Sequence, residues 1–210
     1  MKIVFENIAK SFADIEQEPI TTKKVCVAGE LYIKFCSLGN NGLEKTLENR
    51  SCEIVMSGFV PYMMYLIDNC TADDRIYNRF SFSGIGARVL IKYMDHLQKQ
   101  VNLALTKQGF EPITRYVTLK KDCSWAADFG ETMGDGWLIS AEIIDALNRG
   151  SKSCIVAVPF GCLVSHSCAR GVINKIRRRY PDTVISALDF DSGLAKINQL
   201  NRIQMILNFT

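Results

Sequence analysis

The stretch "VPFGCLVSHSCARG", Val158 to Gly171, decides the fold of this chain. An apolar run, "SCIVAV" (Ser153–Val158), leads into it, and a basic helical pattern, "SHSCARGVINKIRRRY" (Ser165–Tyr180), follows. A run of this length without polar alternation reads as a strand buried on both faces, as in parallel sheets. Pro159 has no N–H to donate and suits the point where a ladder ends. Gly161 permits a sharp turn or a close approach to a ligand. Cys162 then falls just before the helix, with Ser165 as its expected cap and His166 and Cys168 in its first turn. A thiol at that place feels the positive end of the helix dipole, which favours thiolate, the form that binds metal or attacks.

Working outward, the same strand-then-helix rhythm recurs. "KKVCVAG" (Lys23–Gly29) and "CEIVMS" (Cys52–Ser57) read as strands. Between them, "NNGLEKTLENR" reads as a helix with Asn41 as N-cap, Glu44 three residues on, and Leu43 and Leu47 facing inward. "FVPYMMYLIDNC" is the next helix, with Pro61 in its first turn. "WLISAEIIDALNRG" reads as an amphipathic helix stopped by Gly150, "TVISALDF" as a strand, and "GLAKINQLNRIQMIL" as a last helix. Ile197, Leu200, Ile203 and Leu207 are expected on one side of that last helix. Between residues 71 and 136 the rhythm breaks into long helical stretches, read as a helical insertion. Residues 1–22 read as an N-terminal tail or helix, and 23–210 as the α/β domain.

Alternating β and α with continuous apolar strands predicts a doubly wound, mainly parallel sheet. Right-handed crossovers give four strands the order 2-1-3-4. Ligands in such sheets bind beyond the carboxyl ends of the strands that flank the reversal of strand order. Here those are the first and third strands. Two loops leave from there, "GELYIKFCSLGNN" and "PFGCLVSH", so Glu30 and Cys162 are expected to face one crevice. For Cys162 the plain alternative is a buried structural cysteine; for His166 it is a hydrogen-bonding residue at a helix start.

Composition narrows the function classes. The chain has 210 residues, 48% apolar and 22% charged, with a formal net charge of +3. So small a charge, without aromatic residues among the basic ones, gives no footprint for nucleic acid. The longest strongly apolar run, "FVPYMMYLI", falls far short of the ~20 residues a membrane span needs. The N-terminus turns acidic too early for a signal peptide, so a cytoplasmic location is expected. Eight cysteines are present, and their spacing fits neither a zinc finger nor a zinc ribbon. Cys26, Cys52 and Cys154 lie in strand runs as small hydrophobes, while Cys36, Cys123, Cys162 and Cys168 lie in expected turns. "SGIGAR" (Ser83–Arg88) has two glycines before a helix, where a plain helix start competes with a phosphate cradle.

Four stretches together resemble the C-terminal part of the 2-hydroxyacyl-CoA dehydratase and CoA-substrate-specific enzyme activase superfamily. They are "GELYIKFCSLGNNGLEKTLE", "GDGWLISAEIIDALNRG", "VPFGCLVSHSCARGVINKI" and "LDFDSGLAKINQLNRIQMIL". The combination of "PFGCL", His166 and "NQLNR" is the specific part. The resemblance implies Rossmann-like or flavodoxin-like domains and an oxygen-sensitive [4Fe–4S] cluster in an electron-transfer system that acts on acyl-CoA. It implies Cys162 as a cluster ligand, with Glu30, Asn40, Asn41, Phe160, Gly161 and His166 as candidate cofactor-contacting residues. This chain has Val164-Ser165 where the family usually has Pro-Asn after "PFGCL", and it lacks the family's upstream cluster cysteines and ATPase domains. A [4Fe–4S] cluster needs several thiolates. The expectation is therefore an incomplete ligand set, completed by a partner subunit or by the upstream region. The alternative is a non-catalytic domain that binds acyl-CoA or a partner.

Overall fold

A computed structural model gives the structure of the chain and describes every residue except 18–19, 192, 194–195 and 209–210. The four apolar runs are strands of one parallel sheet: β1 (Lys23–Gly29), β2 (Cys52–Val55), β3 (Ser153–Pro159) and β4 (Val184–Phe190). Their order is β2-β1-β3-β4, the order expected from right-handed crossovers. Register is set by pairs such as Lys23 with Cys52, Cys26 with Cys154, and Ser153 with Val184.

Successive residues of a strand point to opposite faces, and both faces are covered. Val25, Val27, Ile155, Ala157, Leu188 and Phe190 form one buried cluster with Leu43 and Leu47 of α3 (Leu43–Glu48) and Ile203, Ile206 and Leu207 of α10 (Lys196–Asn208). α8 (Gly136–Asn148) packs on β1, and α9 (Gly171–Arg179) packs on β4. The chain leaves β1 for β2 on one side and later enters β3 on the other. That reversal defines the switch point.

Two helices differ from their sequence pattern. α8 was expected to be amphipathic, yet every residue from Trp137 to Ile144 is buried. Its two buried polar side chains are accommodated: the Ser140 hydroxyl donates to the Cys168 carbonyl at 2.8 Å, and Glu142 meets Lys34. On α10 the buried set is Gln199, Ile203, Ile206 and Leu207, while Ile197 is 60% exposed. The inward stripe is thus rotated from the expected one. Part of the expected start of this helix lies outside the described residues, and it is described from Lys196.

Contacts divide the chain into two compact units. One comprises Thr21–Gly58 and Lys120–Thr210 and holds the sheet; the other comprises Met1–Ile20 and Phe59–Leu119. In the second unit α1 (Lys2–Ala13) and α4 (Phe59–Asn69) both pack on the long α6 (Phe82–Lys107). α4, expected as the helix following β2 in the α/β series, groups with these helices instead. α6 starts at Ser81, whose hydroxyl accepts the Gly84 N–H at 2.9 Å and donates to the Asp74 carboxylate at 2.9 Å. An acid therefore stands at the helix start that the glycines of "SGIGAR" had marked as a phosphate cradle, and its charge opposes that use.

Candidate functional site at the carboxyl edge of the sheet

The β3 exit is a tight turn. The Cys162 N–H donates to the Pro159 carbonyl at 3.2 Å, and the Phe160 N–H donates to the Phe190 carbonyl at 3.2 Å. Gly161 sits at φ +75°, the left-handed conformation that the third residue of such a turn requires. The helix begins at Leu163, immediately after Cys162, whose carbonyl accepts the His166 N–H at 3.1 Å. Ser165 is therefore inside the helix and does not cap it. Its hydroxyl donates to Cys162 Sγ at 3.3 Å. From Ser165 to Arg170 the helix is wound as a π-helix, a form that recurs at functional sites. Cys162 is half-buried, between Phe160 at 72% and Leu163 at 76% exposure. His166 Nδ1 is buried and has no hydrogen-bond partner among the described residues.

The β1 exit is built differently. Gly29 has φ +134°, and a Cβ there would lie 2.1 Å from the Ala157 carbonyl oxygen. Only glycine permits the two central strands to approach so closely at their ends. Glu30 then caps the short helix α2 (Leu31–Phe35), with Oε2 accepting the Ile33 N–H at 2.8 Å. Asn40 is buried: its amide donates to the Ile33 carbonyl at 2.9 Å, and its Oδ1 accepts the Leu43 N–H at 3.1 Å. Asn40, not Asn41, thus makes the side-chain bond at the start of α3. Asn41 has φ +57° and donates to Gln199 Oε1 at 2.8 Å. Of the residues expected around a cofactor, Glu30, Asn40 and Asn41 are engaged in holding this loop.

Beneath the β1 exit lies a charged group that the sequence reading missed. Lys34 and Glu142 are 3% and 5% exposed and pair at 2.6 Å, with Glu142 Oε2 left without a hydrogen-bond partner. Burial pushes the Glu142 carboxyl up, against the opposing pull of Lys34 and the Gly29 N–H. Asp135, at the start of α8, is raised to about 7, first by burial and then by the charges of Glu30 and Glu142. The one available signal was Glu142 itself, a carboxylate within the apolar stretch "LISAEIIDAL".

The other cysteines are dispersed. Cys26 and Cys154 are register partners inside the sheet, and the hydrogen bond that the Cys26 thiol donates to Cys154, together with burial, raises the Cys26 thiol. Cys123, expected in a turn, closes α7 (Tyr116–Cys123) and is fully buried, with its thiol pushed up to about 12 by burial. Cys168 is buried in the π-helical segment. Cys36 is half-buried, and its thiol is lowered by hydrogen bonds from the Tyr32 hydroxyl and the N–H groups of Gly39 and Leu38. Among the described residues, no three His, Cys, Asp or Glu side chains converge in a way that could hold a metal ion. Among the described residues the cysteines are not gathered into the four-thiolate set that a [4Fe–4S] cluster takes. No helix among the described residues is long and apolar enough to cross a membrane. No family model, no curated protein and no solved structure matches this chain.

Proposed function

We propose that the chain is a component of a 2-hydroxyacyl-CoA dehydratase-like system, and that it presents Cys162 to a second polypeptide at the carboxyl edge of its sheet. In this reading Cys162 supplies one thiolate to an iron–sulfur electron-transfer site, and the remaining ligands come from outside this chain. The supporting observation is the setting of Cys162: half-buried, at the end of a central strand beside the switch point, between two exposed apolar side chains. A buried structural cysteine would not be flanked in this way, and Cys26 and Cys154 show the contrast. Exposed Phe160 and Leu163 suit a surface that is covered in an assembly. The test is anaerobic isolation of the tagged chain from cells that also make its native partners, with iron and sulfide analysis. Both are expected to co-purify with the wild type and to be lost from Cys162→Ser, while Cys70→Ser, at an exposed cysteine, retains them. A colourless preparation from wild-type cells overturns the reading.

The dispersed cysteines favour a second reading, a non-catalytic domain whose edge binds acyl-CoA or a partner subunit without metal. The same preparation separates the two. Under the second reading it holds no iron, yet it is stabilised against heat by acyl-CoA or retains a partner that Leu163→Asp releases.

A further inference from the structure

β4 is an outer strand, and no strand lies beyond it among the described residues. In a parallel ladder, alternate residues direct both their N–H and C=O to the same neighbour. The Val184 N–H donates to the Lys152 carbonyl, and the Phe190 carbonyl accepts from Phe160, so Val184, Ser186, Leu188 and Phe190 serve β3. Ile185, Ala187 and Asp189 therefore turn their backbone groups outward. The Asp189 carbonyl is taken by Gln199 Nε2 at 3.1 Å. The outward groups of Ile185 and Ala187 have no hydrogen-bond partner among the described residues; Ile185 is 5% exposed, on the floor of a cleft, and Ala187 is half-buried.

This edge runs along two adjoining clefts. One, of about 350 Å³, is lined by Arg177 from α9, by Val184, Ile185 and Ser186, and by Arg202 and Met205 from α10. The other, of about 360 Å³, continues past Leu188 and Asp189 along Asn198, Gln199, Asn201 and the same Arg202. Arg177 and Arg202 are exposed and have no acidic partner among the described residues. Natural proteins guard an open edge with charge, proline or a bulge. The one charged residue of this strand, "VISALDF", is Asp189, which pairs with Arg170; the strand has no lysine, arginine or proline, and the cationic groups unpaired among the described residues stand on the helices at either side of it.

We propose that the outer edge of β4 is a docking site for an extended acidic peptide segment, which adds to the sheet as a fifth strand. The outward N–H and C=O groups of Ile185 and Ala187 supply the ladder, and Arg177 and Arg202 select carboxylates on the added strand. Charge decides against a second copy of this chain. Edge-to-edge pairing of two β4 strands would bring four arginines to one seam, while an acidic strand neutralises two. The site is separate from the carboxyl-edge crevice and does not depend on the function proposed for Cys162.

The probe is a fluorescein-labelled octapeptide alternating glutamate with valine, read by anisotropy with the full chain. Saturable binding is expected, with slowed amide exchange at Ile185 and Ala187. The lysine–valine counterpart is expected not to bind, and Arg202→Glu or Arg177→Glu is expected to weaken the glutamate peptide by about ten-fold or more. Ala187→Pro removes an outward donor without touching the β3 ladder and is expected to abolish binding. Should that variant misfold, the decisive arm needs only the wild type: the glutamate peptide N-methylated at every residue, which has no hydrogen-bonding edge, must fail to bind. Equal binding of the N-methylated peptide, or no saturation by the glutamate peptide, overturns the proposal. So does a peptide-free dimer that Ala187→Pro dissociates, which would assign the edge to a second copy.

Discussion

Two loops leave the switch point of one sheet, and they spend their side chains in opposite ways. At the β1 exit, Gly29 lies against Ala157, Glu30 caps a helix, Asn40 joins two helices, and Lys34 pairs with Glu142 below them. At the β3 exit, the turn is held by two backbone hydrogen bonds, while Phe160 and Leu163 project and Cys162 is half-buried. The first loop engages its polar side chains internally while leaving Tyr32 and Leu38 exposed; the second exposes Phe160 and Leu163 on either side of a half-buried thiol. Switch-point topology alone would treat the two as equal walls of a ligand crevice. The distribution of internal partners separates them: the polar groups of the β1 exit hold the loop together, while the turn of the β3 exit is held by its backbone hydrogen bonds.

The largest effect that could break this contrast concerns Gly29. Gly29→Ala must place a Cβ where the Ala157 carbonyl stands, at a φ that alanine rarely adopts. A loss of about 4 kcal/mol or more is expected, enough to endanger a domain of ordinary stability. Urea denaturation measures it. A loss below about 1 kcal/mol would mean that the β1 exit yields easily and is not the rigid side.

A smaller effect comes from Asp135. Its carboxyl is raised from 3.8 to about 7 in the folded chain, first by burial and then by Glu30 and Glu142, with Lys34 opposing. The folded state therefore binds a proton that the unfolded state has released across that interval. Stability from this group is full below the unfolded value, declines as pH rises, and is gone above about 7. The urea midpoint at about pH 5 should exceed that at about pH 8 by more in the wild type than in Asp135→Asn. Equal differences in the two proteins would remove the buried charged group from the account of the β1 exit.

The fold was legible because the signals that set it are local. Continuous apolar runs such as "SCIVAV" mark strands buried on both faces, and right-handed crossovers leave few ways to order them. The turn after β3 was equally legible, since Pro159 and Gly161 restrict backbone geometry whatever surrounds them. The Lys34–Glu142 pair was not: its partners are 108 residues apart, and nothing in either neighbourhood names the other. The cap position of α3 is Gly42, and the side-chain bond to its first N–H comes from Asn40 where Asn41 was expected, because either amide can make such a bond. The choice depends on Gly42 at φ +71° and on the Ile33 carbonyl, which only the folded loop brings within reach of Asn40. Local chemistry also could not show that Cys123 is buried away from any other cysteine's work, since its burial comes from tertiary packing.

The smallest expected effect sharpens the contrast most, because it separates folding from presentation. Phe160 and Leu163 lie largely in solvent, so their side chains bury little apolar area and contribute little to folding. Phe160→Ser with Leu163→Asp is expected to change stability by no more than about 0.5 kcal/mol, as surface substitutions usually do. The same pair at a surface covered in an assembly should release the partner chain from the anaerobic preparation. Stability and association are thus predicted to move independently at the β3 exit, whereas at the β1 exit no substitution of Gly29 can spare the fold. A double variant that unfolds readily would show that Phe160 and Leu163 hold the turn, and the distinction between the two loops would then fail at the β3 exit.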